Sequence, residues 1–136
     1  MKKISSIAFS IIVLLIASCT DETVDPTTDP RDKFTGSWLC QETITGMPPE
    51  TFTISISKLG GGDSVLISNF SNYGTTSDQT RAEISGNSIV IPYQEITQTN
   101  IVVQGSGIYT SNGGVKITMN YTTDGESATA VCTPKP

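Results

Sequence analysis

Three cysteines, no histidine and a scatter of carboxylates make up most of the reactive side chains in this 136-residue chain. The missing histidine removes the commonest general base and the commonest metal ligand. It also removes the usual Ser/His and Cys/His nucleophile pairs. Glu42, Glu83 and Glu95 could in principle pair as acid and base, but they fall on separate strand segments with no spacing that implies contact. Gly60-Gly61-Gly62 lacks the Lys-Ser/Thr that a phosphate-binding loop needs. Asp25, Asp29 and Asp32 are expected to be solvated rather than ligating, and no metal spacing is present. The expectation is a protein that is not an enzyme, with no catalytic residue, metal or cofactor.

The residue with the clearest chemistry is Cys19. It follows Leu14-Leu15-Ile16-Ala17-Ser18, the end of an apolar run over residues 4 to 17 that Lys2 and Lys3 precede. About 14 helical residues span roughly 21 Å, short of the roughly 30 Å hydrocarbon core, so a cleaved signal segment is expected rather than a spanning helix. A cysteine directly after small residues at the end of such a run resembles a bacterial lipobox. The resemblance implies a signal peptide over residues 1–18, cleavage before Cys19, and a diacylglycerol thioether on Cys19 that holds the chain to a membrane. Each buried CH₂ contributes about 0.8 kcal/mol, so two or three acyl chains make release slow.

Cleavage there removes Lys2 and Lys3, which leaves 6 of the 8 basic side chains against 13 acidic ones, a net charge of −7. Nucleic acid is a poor partner for such a surface, because that binding rests on Lys and Arg neutralising phosphates. Residues 20 to 33 have no hydrophobic periodicity and a single aliphatic side chain, Val24, among charges and prolines. Such a segment cannot form a core, and residues 19–33 are expected to be the lipidated cysteine and a flexible acidic linker. Asp21-Glu22 is similar to the acidic signals that send some Gram-negative lipoproteins to the outer face of the outer membrane.

From residue 34 onward the pattern changes to short β-segments. Thr51-Phe52-Thr53-Ile54-Ser55-Ile56-Ser57 alternates strictly, with one face buried and one wet. Val115, Ile117, Met119 and Tyr121 alternate with Lys116, Thr118, Asn120 and Thr122 in the same way. Further strands are expected from about 34 to 45, 64 to 70, 79 to 84, 87 to 92, 99 to 104 and 127 to 133, with Ile108-Tyr109 following a kink after Gln104. Turns are expected at Gly60–Asp63, Ser71–Gly74, Gly86-Asn87, Asn112–Gly114 and Asp124-Gly125. In the first strand Phe34, Gly36, Trp38, Cys40 and Ile44 share a parity, which Glu42 breaks. Either a bulge resets the register or a carboxylate points inward. Pro92 is expected at a strand end or bulge. Gly105 and Gly107 suggest a bend or the close approach of another backbone.

Eight or nine short strands joined by tight turns, with no helix-length segment, must hide their sheet edges, and closure into a barrel does so completely. Cys40 lies in the first strand and Cys132 in the last, which are neighbours in a closed up-and-down barrel. An exported location is oxidising, so a Cys40–Cys132 disulfide is expected. In the chain-entropy model a loop of roughly 93 residues gives a stabilisation of at most about 4–5 kcal/mol. An immunoglobulin-type sandwich expects its tryptophan between the two cysteines, whereas Trp38 precedes Cys40.

Phe34-Thr35-Gly36-Ser37-Trp38 is similar to the Gly-x-Trp motif that opens the first strand of lipocalins. Region 34–136 resembles the short lipocalin-like lipoproteins of Gram-negative gut bacteria. The resemblance implies an all-β, antiparallel up-and-down barrel with Trp38 at its closed end, although the chain is shorter than classical lipocalins and lacks their C-terminal helix. A small barrel of this kind either encloses a ligand or is filled by its own side chains.

For a small apolar ligand the candidate contacts are Trp38, Phe52, Ile54 and Tyr121 on the interior, with Tyr93 and Tyr109 at the rim of a mouth. Ile56, Ile89, Ile91, Val115, Ile117 and Met119 complete the expected interior stripe. Asp63-Ser64-Val65 resembles an O-glycosylation sequon of exported proteins in some gut bacteria, which makes Ser64 a candidate modification site. The expected function is therefore a lipoprotein anchored in the outer membrane, whose barrel binds a small apolar ligand. The alternative is a cell-surface interaction or structural module with a filled barrel.

Overall fold

The computed structural model describes residues 28–74, 79–96 and 99–136. They form eight strands: β1 (Gly36–Ile44), β2 (Glu50–Lys58), β3 (Ser64–Ser68), β4 (Gln79–Ser85), β5 (Ser88–Ile96), β6 (Ile101–Thr110), β7 (Lys116–Thr123) and β8 (Glu126–Pro134). A single 3-10 turn, Phe70–Asn72, interrupts the series between β3 and β4. Each strand pairs antiparallel with the next, and β8 returns to β1, so the sheet is a closed up-and-down barrel.

The seam between β1 and β8 runs from Trp38 opposite Pro134 to Ile44 opposite Ala128. Cys40 lies directly opposite Cys132 in that register, and the two are joined by a disulfide. Closure gives every strand a neighbour on both sides, and the period of two then places alternate side chains inside. Phe52, Ile54 and Ile56 of β2 are buried, as are Ile117, Met119, Tyr121 and Thr123 of β7 and Ala128, Ala130 and Cys132 of β8. All eight strands contribute to one continuous apolar cluster, with Phe34 and Phe70 added from outside the strands.

The turns follow from their residues. Asp124 and Gly125 both have positive φ, the geometry that suits a two-residue hairpin to the right-handed twist of its strands. Pro92 sits inside β5, where pairing with β6 shifts between Ile91 and Gln94. A residue without an N–H fits such a bulge, and the strand continues beyond it to Ile96. Gly105 and Gly107 do not break β6. Both are on the inward parity, and a Cβ on Gly107 would lie 2.7 Å from Met119 Cγ. One on Gly105 would collide with Tyr121 and lie 2.5 Å from the Asn120 carbonyl oxygen. The glycines therefore serve the close approach of β6 to β7. Val115 departs from the expected stripe: it precedes β7 and is exposed, because the Asn112–Gly114 turn runs past it.

Two outcomes test this account. Replacing both Cys40 and Cys132 by serine should lower unfolding stability by up to about 4–5 kcal/mol, read from denaturant midpoints, with the far-ultraviolet signature of the barrel kept. Gly105→Ala should cost at least about 1–3 kcal/mol, because neither the Asn120 carbonyl nor Tyr121 Cβ can swing aside.

Candidate functional site

One end of the barrel is closed by the turn that precedes β1. The indole Nε1 of Trp38 donates to the Phe34 carbonyl oxygen at 2.8 Å, and the Phe34 and Trp38 rings both meet Tyr109, at 5.6 and 6.5 Å between centroids. Arg31 is buried and donates from Nη1 to the carbonyl oxygens of Gly60 and Ser64, at 3.0 and 3.2 Å. Asp29 holds the other side of that guanidinium at 2.7 Å, and Lys58 bridges Asp29 and Asp32 at 2.9 and 2.5 Å. The Arg31 hydrogen bonds hold the Asp29 carboxyl well below the usual carboxylate range, and bonds to Asp32 and then Asp29 raise the Lys58 ammonium. Residues 29–33, expected as part of a free linker, are thus the cap of this end. Asp29 and Asp32 are ion-paired rather than merely solvated.

The opposite end holds the interior's charged group. Glu42 is 2 % exposed and points inward, which decides between the two readings of its parity. Its Oε1 accepts a hydrogen bond from Ser71 Oγ at 2.7 Å and a second from the Tyr121 hydroxyl. The Tyr121 ring packs against Phe70 at a tilt of 49°, with centroids 4.5 Å apart. Ser71 and Phe70 belong to the 3-10 turn, which lies over the barrel end; Asn69 Nδ2 ties it to the Thr53 carbonyl oxygen at 2.9 Å, and Asn72 Nδ2 to Glu50 Oε1 at 2.7 Å. Asn69, Ser71 and Asn72 all have positive φ, a conformation that costs non-glycine residues energy and persists where surrounding contacts enforce it. Burial, and then the Glu42 carboxylate to which it donates, push the Tyr121 hydroxyl far above the ordinary phenol range.

This arrangement pairs one oxygen of a buried carboxylate with two hydroxyl donors beneath the Phe70 ring. Glu83 and Glu95 are exposed on the outer face, so the three glutamates do not meet. Among the described residues, no group of three or more His, Cys, Asp and Glu side chains is placed to hold a metal ion.

The expected ligand contacts separate in the same way. Trp38, Phe52, Ile54 and Tyr121 are interior and packed. Tyr109 is half-buried against Phe34 and Trp38, at the end capped by Arg31, with the Lys33 ammonium 5.7 Å from its ring centre. Tyr93 is 72 % exposed and stands on the outer wall at the β5 bulge. Ser64 is half-buried, and its Oγ accepts from Arg81 Nη2 at 3.0 Å. Cys19 and Asp25 lie outside the described residues. The contacts missed in the sequence are Arg31 and Ser71. The Asp29-Pro30-Arg31 turn, in which Asp29 Oδ1 accepts the Arg31 backbone N–H at 2.9 Å, was the signal available for the first.

No protein-family model matches the chain, and no curated protein matches it. Among solved structures it is similar to a redesigned beta barrel, with 15 % identity, a TM-score of 0.60, and coverage of 81 % of this chain and 98 % of that one. At that identity the likeness concerns the fold alone.

Tyr121→Phe should cost about 1–3 kcal/mol at neutral pH, because buried Glu42 loses a donor. The pH dependence has a definite sign. A phenol raised by folding contributes stability that is complete below its unfolded value near about 10 and is lost as pH rises through the folded value. Unfolding curves above about pH 10 should therefore fall less steeply for Tyr121→Phe than for the native chain.

Proposed function

We propose that this protein is an exported lipoprotein, held at the outer membrane through acyl chains on Cys19, whose barrel is a filled interaction module. The address is supported by the apolar run ending in Leu14-Leu15-Ile16-Ala17-Ser18-Cys19 and by the acidic Asp21-Glu22 that follows. The module reading is carried by one observation: the interior is taken up by a single packed cluster.

Both ends of that cluster are covered. At one end Arg31 and Phe34 lie across the barrel; at the other, Phe70 sits against Tyr121 with Glu42 beneath. A ligand pocket for a small molecule is a cleft or cavity of a few hundred Å³ that buries most of its guest. An apolar guest inside this barrel would have to displace Phe70 and break the hydroxyl pairing of Glu42, which leaves a buried carboxylate short of donors. The partner is therefore met on the outside of the wall, and the acyl anchor keeps that wall close to the membrane surface.

The full-length protein, purified from membranes and released into the gas phase under native conditions, should carry acyl chains and no additional small molecule. Cys19→Ala should lose the acyl mass and leave the membrane fraction. A small apolar molecule that co-purifies with the folded protein and is released on unfolding would overturn the filled-module reading in favour of carriage. An unacylated native protein would overturn the anchor.

A further inference from the structure

The outer wall carries a trough that the interior chemistry does not use. Ile91, Gly105, Tyr121 and Ala128 are direct register partners across β5, β6, β7 and β8. Ile91, Tyr121 and Ala128 are buried in the barrel interior, and Gly105 has no side chain, so nothing from this row stands outside and the outer surface along it is bare backbone. The flanking rows do project outward. On one side Gln104, Thr122 and Ser127 are consecutive partners; on the other, Asn120 pairs with Thr129. The result is a groove of about 600 Å³. Tyr93 rises at its edge because the β5 bulge turns the ring outward, where it is 72 % exposed.

We propose that this trough binds a neutral glycan chain, with Tyr93 as the stacking platform. The side chains that project along the trough are amides, hydroxyls, one phenol and the Pro92 ring, and none is charged. That disfavours recognition of phosphate or carboxylate groups, whose strongest side-chain partners are Arg and Lys. A sugar ring presents a C–H face that packs on an aromatic ring and a rim of hydroxyls that both donate and accept. Amides and hydroxyls are the side chains that answer both demands.

The orientation of one amide is already set. Thr129 Oγ1 donates to Asn120 Oδ1 at 2.9 Å, and the Asn120 amide nitrogen has no hydrogen-bond acceptor among the described residues. Gln104 makes no side-chain hydrogen bond among them either, so its acceptor and donors are both available. A second depression of about 380 Å³ continues past Tyr93 toward Val102, Asp124 and Gly125, and it holds one carboxylate, Asp124, whose Oδ1 already accepts from the Val102 N–H at 3.1 Å. Tyr93, Gln104 and Thr122 border both. A ring with a concavity on either side suits a linear oligomer rather than a single sugar. The floor is hydrogen-bonded barrel strand, so binding orders little backbone.

This inference rests on the filled-module reading only in that the partner is met outside the barrel. The test uses the full chain in detergent micelles on an array of neutral and charged oligosaccharides that includes maltohexaose, cellohexaose, mannohexaose and xylohexaose. Titration calorimetry with the best neutral member follows. Saturable binding is expected, weakened about tenfold or more by Tyr93→Ala, kept by Tyr93→Phe, and unaffected by Leu39→Ala on the outer face of β1. Tyr93 is exposed, so its variants should fold, and circular dichroism checks that they do. Absence of binding to every neutral oligosaccharide overturns the proposal. So does an affinity unchanged in folded Tyr93→Ala, or lost equally in Tyr93→Phe. Such a failure is separable from failure of the filled-module reading, which native mass spectrometry decides without any glycan.

Discussion

Closure of the sheet between β1 and β8 is the constraint on which the rest of this structure depends. An open eight-stranded meander would leave two edges of unpaired N–H and C=O groups, and it would leave inside and outside undefined. Once Cys40 stands opposite Cys132 and the ladder continues from Trp38 to Ile44, every strand acquires one buried and one exposed face. The parity of each residue then becomes an energetic matter. A slip of one residue in β2, for example, would send Ile54 and Ile56 to solvent and its serines and threonines into the core.

The same constraint explains the two irregular features of the interior. Glu42 shares its parity with Trp38 and Cys40, so a closed barrel with β1 in this register has no place for it except inside. The cost of burying a carboxylate is met by two hydroxyl donors, one from β7 and one from the turn after β3. That requirement fixes Ser71 in a left-handed conformation and brings Phe70 down over Tyr121. Gly105 and Gly107 answer a related demand. Strands that wrap a small radius crowd on the inner side, and β6 has no side chains where it presses on Tyr121 and Met119.

Much of this could be read from the residues. Strict alternation over 51–57 and 117–121, the Asp124-Gly125 turn and the position of two cysteines in the first and last strands are local signals whose consequences hold wherever the strands go. The rest depends on partners distant in sequence. Arg31 reads as part of a polar linker because hydrophobic periodicity does not register a guanidinium whose acceptors are the carbonyl groups of Gly60 and Ser64, on the far side of β2. Pro92 reads equally as a strand end or a bulge, and only the pairing with β6, which resumes at Gln94, decides for the bulge and carries β5 past Tyr93. Ser71 reads as a turn residue, and only the fold reveals the carboxylate it answers.

A barrel whose interior is filled has its chemistry to offer on the outside, and that surface is uneven. Arg81 and Glu83 project from β4, Glu95 from the end of β5 and Lys116 from the start of β7. Between them, and short of Asp124 and Glu126 at the β7–β8 hairpin, the trough over β5 to β8 is lined by uncharged residues, in a chain whose expected mature form has net charge −7. Solubility alone would place charge there as readily as anywhere else. Amides, hydroxyls and a solvent-facing phenol along a groove make a surface that neither repels nor attracts ions and that holds many hydrogen-bonding groups in a fixed spacing. The bulge that exposes Tyr93 and the glycine that leaves the groove floor bare both come from the way β5 and β6 bend to close the barrel. The geometry that seals the inside is therefore also what sculpts the outside.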